Sequence, residues 1–85
     1  MQTEEIRSKI KKIVANVANL SLDDISDDAS YIEDLGLDSL SALEVMVDVD
    51  YEFQYKFPEE EAQGVHTIED TVQLVQRHLV APAWA

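Results

Sequence analysis

Apolar residues recur at helical spacing in three stretches of the chain, and a fourth, shorter stretch is bracketed by proline and glycine. Ile6, Ile10, Ile13, Val14 and Val17 make the first stripe, repeating every three to four residues as one face of a helix does. Thr3 ahead of it is placed to cap, and Glu4 and Glu5 then oppose the positive end of the helix dipole. The pattern predicts that this helix fades near Asn19, with Lys9, Lys11 and Lys12 off the stripe. A second helix is predicted from about Ser39 to Gln54. Pro58 permits a short turn of helix through Glu59-Glu60-Glu61-Ala62 that halts near Gly64. Thr67 caps a last helix, with Asp70 three residues on as in a capping box. Ile68, Val72, Val75 and Leu79 are its predicted buried stripe, Pro82 ends it, and residues 81–85 are expected to be a loose tail.

Between Leu20 and Asp38 no period persists, and the Ser, Asp and Gly content reads as a long structured loop. Loops of this length inside a small domain are uncommon and often functional. Leu22, Ile25, Tyr31, Ile32, Leu35 and Leu37 punctuate it, which predicts a segment pinned across the core. There is no internal repeat and no alternating β pattern. The expected fold is all-α, a small four-helix bundle of three main helices and one short one, with the long loop between the first and second. Residues 1–80 are expected to form the single domain.

The second helix differs from the others in having two apolar arcs. At about 100° per residue, Ala42, Val45, Met46, Val49 and Phe53 share one arc, wide enough to face a core. Leu40, Leu43, Val47 and Tyr51 fall on the opposite side. Glu44, Asp48 and Glu52 line one flank between the arcs, and Asp50 borders the second arc on the other. A small domain needs one buried stripe per helix. The second arc is therefore either an extension of the core under the loop or an exposed strip with acidic edges, the kind that marks a protein-binding surface. Leu40 and Val47 are the residues most expected to remain accessible.

Charge narrows the candidate partners. Six Lys and Arg against eighteen Asp and Glu give a net charge of −12 over 85 residues. A phosphate backbone would repel that surface, which argues against nucleic acid. Basic protein partners would be attracted, although the same charge also serves solubility alone. With hydrophobic residues at 46%, the chain is too apolar for a disordered acidic tail. It contains no cysteine, which rules out a disulfide framework and a thiolate metal site. No apolar run reaches the length of a membrane span, and the N-terminus lacks the apolar core of a signal peptide, so the sequence reads as soluble and cytoplasmic.

The stretch Gly36-Leu37-Asp38-Ser39-Leu40 raises the one question of chemistry. Asp38 can cap the second helix as well as Ser39 can. The ordinary role of a serine at such a position is capping. A phosphate on its hydroxyl would also be well placed, because unpaired N–H groups and the positive dipole end favour an anion there.

Asp34-Leu35-Gly36-Leu37-Asp38-Ser39-Leu40 followed by an acidic and apolar helix resembles the attachment site of acyl carrier proteins. The resemblance spans nearly the whole chain: the striped first helix, the acidic loop with Tyr31 and Leu35, Pro58-Glu59-Glu60-Glu61-Ala62 and Thr67-Ile68-Glu69-Asp70 fall in matching order. It implies that residues 1–80 are an acyl carrier domain and that Ser39 carries 4′-phosphopantetheine from coenzyme A, attached by a phosphopantetheinyl transferase. The arm's thiol would hold acyl groups as thioesters, and the protein itself would not be an enzyme. Asp38 matches the acid that orients the serine hydroxyl or helps hold a metal ion during transfer. Glu44, Asp48 and Glu52, with Leu40 and Val47, match the surface that meets basic docking patches on an acyltransferase, ketosynthase or other acyl-processing enzyme. Val49, Phe53, Ala62, Val65 and Ile68 are the residues expected to line a shelter for the acyl chain. Leu37 stands where housekeeping fatty-acid carriers have a small residue, and Tyr51 where a further acid often lies. Both departures point toward polyketide-type, specialised metabolism. A free-standing monomer is the expectation.

Related carriers of peptidyl or aminoacyl groups, D-alanyl among them, share the arm and the fold; Asp38 and the acidic second helix favour an acyl carrier. Two unrelated readings are weaker. A calcium loop starting at Asp23 puts Ile25 at a ligand position and Asp28 where the turn glycine belongs, and one starting at Asp24 puts Ala29 at the glycine and Leu35 at the final ligand. That leaves only loose, charge-driven divalent-ion binding, and no specific metal site is expected. Hydrolysis through Ser39 with His66 or His78 lacks any nucleophile-elbow motif.

Overall fold

A computed structural model describes residues 3–79. Within them the chain forms four helices and no β-strand: α1 (Thr3–Ala18), α2 (Ser39–Phe53), α3 (Glu59–Gln63) and α4 (Ile68–Leu79), with a single 3-10 turn (Leu22–Asp24) in the long loop. The all-α four-helix expectation holds. The expected tail at 81–85 and the terminating role of Pro82 lie outside the described residues.

Ile6, Ile10 and Val14, one per helical turn on α1, are fully buried, while Ile13 and Val17 pack at the edge of the core. They meet Val45, Met46 and Val49 of α2 and Ile68, Val72, Leu74 and Val75 of α4. The core arc of α2 is thus borne out, with Ala42 and Phe53 at its margins. α1 ends where Asn19 takes a left-handed conformation (φ 58°), and the Leu20 N–H then reaches back to the Ala15 carbonyl at 3.0 Å.

Arg7 joins three segments from the α1 surface. Its guanidinium donates to Glu4 one turn back (2.6 Å) and to Glu69 of α4 (2.8 Å), and its Nε lies 4.0 Å from Asp27 of the loop, too far for a hydrogen bond. Lys11 secures the same loop residue at 2.9 Å.

The long loop is pinned across the core, though by fewer residues than the pattern predicted. Ile25, Tyr31 and Leu37 are buried, Ala29 joins them, and Leu35 packs alongside. Leu22 and Ile32 are exposed instead, so their apolar character does not serve the core. Backbone pairing explains why the loop is held so firmly. Ser30 and Thr67 form an antiparallel bridge, in which Tyr31 N–H donates to His66 C=O and Ile68 N–H to Ala29 C=O, both at 3.0 Å. Beneath that bridge the Tyr31 hydroxyl hydrogen-bonds Thr71 Oγ1. Thr71 gives its own proton to the Thr67 carbonyl (3.1 Å), which leaves Tyr31 as the donor. Burial pushes the Tyr31 hydroxyl up to about 12, so it keeps that proton throughout the neutral range.

The capping box at α4 forms as expected. Asp70 N–H donates to Thr67 Oγ1 (3.0 Å), and the Asp70 carboxylate accepts from the N–H groups of Thr67 (3.3 Å) and His66 (3.0 Å).

Candidate functional site

The path from loop to α2 is set by four consecutive residues with separate tasks. Gly36 adopts φ 71°, in the left-handed region, and a Cβ built there would meet no atom within 4 Å. Glycine is needed for the backbone conformation alone, not to make room. Leu37 turns inward and is only 8% exposed, with its N–H bonded to the Tyr31 carbonyl at 2.9 Å. Asp38 is the cap: its backbone is extended and its Oδ1 accepts from the Ser41 N–H at 2.8 Å. That bond, charge-assisted and at the positive end of the helix, holds the Asp38 carboxyl below the usual carboxylate range. Ser39 is then the first residue of α2 and lies exposed, released from capping duty by its neighbour. Asp34, in the same stretch, is structural, since its carboxylate accepts from the Ser30 N–H at 2.7 Å and closes the turn before Gly36.

Beside Ser39 opens a cleft of about 320 Å³. Tyr31 and Ile32 of the loop, Ala42, Leu43 and Met46 of α2, and Ala62 of α3 make its apolar walls. Val65 adds to these, and Glu59, Gln63 and His66 border it. Of the five residues expected to line an acyl shelter, Ala62 and Val65 line this cleft. Val49 and Ile68 are fully buried in the core between helices, and Phe53 packs against that core. The cleft lies one turn nearer Ser39 than the apolar pattern suggested. Tyr31, Ile32, Ala42, Leu43 and Met46 also line it, none of them among the residues expected for a shelter. Ile32 was expected in the core and instead stands exposed at the cleft.

The second apolar arc of α2 is solvent-facing. Leu40 is 71% exposed and Tyr51 85%, with Leu43 and Val47 between them also exposed. Ile32 continues this strip from the loop. Glu44 and Asp48 are exposed on its flank and take part in no salt bridge among the described residues. Glu52 differs. Lys9 of α1 reaches it at 3.3 Å, so its charge is partly answered within the protein. Asp50 serves the fold, accepting from the Phe57 N–H at 3.3 Å and pairing with Lys56 at 3.6 Å, which shapes the segment between α2 and α3.

This arrangement fits a covalently attached anionic arm. A hydroxyl stands outward at a helix N-terminus, an acid fixed by a backbone bond stands next to it, and an apolar cleft opens alongside. None of the described residues form a cluster of His, Asp or Glu able to hold a metal ion, and none of the described helices is long and apolar enough to cross a membrane.

Comparison with known proteins agrees with that geometry. The family described as "Phosphopantetheine attachment site" matches residues 8–75, most of the chain and the whole span from α1 into α4. An acyl carrier protein from Rickettsia bellii (strain RML369-C) is 34% identical over 77 residues, covering 91% of this chain and 90% of the relative. The chain belongs to the phosphopantetheine-binding acyl carrier proteins. Its cofactor is accordingly 4′-phosphopantetheine, and its work is carriage rather than catalysis.

Proposed function

We propose that Ser39 is the attachment residue and that the protein presents acyl groups to biosynthetic enzymes through the exposed strip of α2. The observation that carries this reading is the division of labour at the start of α2, where Asp38 does the capping and Ser39 is left outward. When bound, the arm supplies a terminal thiol that holds acyl groups as thioesters. Everything else is done by the chain itself. Gly36 and Leu37 fix the direction from which the hydroxyl is presented, Leu37 by burying its side chain against the core. Asp38, held ionised, orients that hydroxyl for a phosphopantetheinyl transferase drawing on coenzyme A. In this reading the protein works in the cytoplasm beside its partners.

Leu40 and Val47 supply apolar contact to those partners, and Glu44 and Asp48 guide their basic patches into register; Glu52 contributes less, because Lys9 already answers it. An acyltransferase or ketosynthase of polyketide or fatty-acid synthesis is the class of partner this surface fits. The carrier domain comprises residues 1–80 and acts as a monomer. The cleft beside Ser39 shelters the acyl chain along Ala42, Leu43 and Met46.

Incubation of the protein with coenzyme A and a broad-specificity phosphopantetheinyl transferase tests the assignment. Intact mass should rise by one phosphopantetheine in the wild type and stay unchanged in Ser39→Ala. Labelling that persists in Ser39→Ala would overturn it.

A further inference from the structure

One wall of the cleft is a very short helix with little burial of its own. α3 has five residues, far too few to be stable as an isolated helix, and Pro58 at its start offers no side-chain cap. No α3 residue is fully buried, and Ala62 alone packs against the core. Its backbone bonds are local, from the Ala62 N–H to the Pro58 carbonyl at 3.0 Å and from the Gly64 N–H to the Glu61 carbonyl at 3.1 Å. Phe57 and Val65 anchor the chain on either side of α3, and side-chain bonds to α4 set where the short helix itself lies.

Glu59, Ala62 and Gln63 face the cleft, and Glu61 projects from the other side of α3 toward α4. Its carboxylate accepts from His78 Nε2 at 3.0 Å and from Arg77 at 2.9 Å. His78 Nδ1 lies 3.0 Å from the Tyr55 hydroxyl in the segment before α3. A carboxylate only accepts, so Nε2 carries a proton, and in the neutral ring Nδ1 accepts from Tyr55. The His78 ring is also set edge-on to Phe57, with ring centres 5.7 Å apart at 82°, and Phe57 is buried in the core. His78 therefore bonds both sides of Pro58 to α4 while its ring rests on the core.

We propose that Tyr55, His78 and Glu61 form a latch that holds α3 against α4 and so sets how far the cleft beside Ser39 opens to acyl cargo. These are positioning residues: they do not touch the cleft but fix the element that walls it. The cargo part of the proposal rests on the carrier reading given above; the latch part does not. The groups facing His78 are Tyr55, Glu61 and the Phe57 ring, and Arg77 shares its carboxylate partner. Arg77 and His78 hold the Glu61 carboxyl below the usual carboxylate range, so acid opens the latch only once pH falls beneath that range.

Hydrogen exchange read by mass spectrometry on the whole unmodified chain tests the latch. In His78→Phe the ring is kept and both hydrogen bonds are lost. Amides of residues 59–65 should then exchange faster by about fivefold or more, as expected when a local opening loses a charge-assisted hydrogen bond. Amides in the cores of α1 and α2 should not change. His78→Gln, which retains a donor for Glu61, should restore slow exchange. Unchanged exchange at 59–65, an equal rise along the whole chain, or no rescue by Gln would each overturn the latch.

For cargo, the arm is loaded with butanoyl or octanoyl groups, and thioester cleavage by hydroxylamine is timed. His78→Phe should change the protection of octanoyl relative to butanoyl, and an unchanged ratio would overturn the control of cargo. If the wild type takes no arm at all, the carrier reading fails, while the exchange result still decides the latch.

Discussion

Gly36 and Gly64 are the only glycines in the chain, and the structure assigns them opposite responses to the same substitution. At Gly36 an alanine Cβ would have open space around it, so sterics against neighbours contribute nothing. The cost is purely conformational, because φ 71° is a region that an L-residue enters at about 1–2 kcal/mol. Alanine also lowers the entropy of the unfolded chain, which returns roughly 0.4–1 kcal/mol. The balance for Gly36→Ala is a loss of about 0.5–1.5 kcal/mol, or a fall in melting temperature of roughly 2–12 °C for a domain of this size.

At Gly64, φ is −84°, and the new Cβ would sit 3.5 Å from the Glu61 carbonyl, an ordinary contact. Only the entropic gain remains, so Gly64→Ala should be neutral or stabilising by up to ~1 kcal/mol. Urea denaturation followed by circular dichroism reads both. Gly36 also aims the entry to α2, so the rate of phosphopantetheinylation should fall in Gly36→Ala and not in Gly64→Ala. Equal stability of Gly36→Ala and wild type, or equal losses at both glycines, would refute the assignment of Gly36 to backbone conformation.

Two further outcomes follow from the charges around α2. Glu44→Lys and Asp48→Lys should slow partner encounter at low salt by several-fold, while stability stays within ~0.5 kcal/mol, because both side chains are exposed and unpaired among the described residues. Glu52→Lys should affect encounter less and stability more, since it sets a second cation against Lys9; stopped-flow binding to a partner enzyme at two salt concentrations separates these, and equal effects at all three positions would contradict the Lys9–Glu52 pairing. Asp38 has a native-state pKa below its ordinary value of 3.8, so its contribution to stability is fully present above that value and is lost as pH falls through the lower, folded value. Asp38→Asn keeps a capping oxygen without the titration. Melting curves from neutral pH to acid should therefore show the wild-type advantage over Asp38→Asn shrinking at the acid end, and a constant difference would show that the cap does not titrate.

Much of this protein is determined by short-range rules and can be read without coordinates. The helices of α1, α2 and α4 follow from apolar spacing, and the ends of α2 and α4 follow from Asp38, Thr67 and Asp70, because a cap bonds backbone groups only two or three residues away. The motif around Ser39 is similarly local. Tertiary structure decided what the local pattern left open. Helical periodicity shows that α2 has two apolar arcs but cannot say which one another element covers, and packing against α1 and the shared core chose Val45, Met46 and Val49. The loop's isoleucines illustrate the same limit. Ile25 and Ile32 look alike in sequence, yet the bridge between Ser30 and Thr67 fixes a path that buries the first and leaves the second beside the cleft.

Val49, Phe53 and Ile68 lie outside the cleft for that reason too, since apolar spacing finds buried faces and a cleft is the place where a face is left uncovered. Long-range pairs lay beyond the pattern altogether. Nothing near Glu52 in sequence announces Lys9, and nothing near Glu61 announces His78, because each pair is brought together by the packing of separate helices rather than by the local backbone.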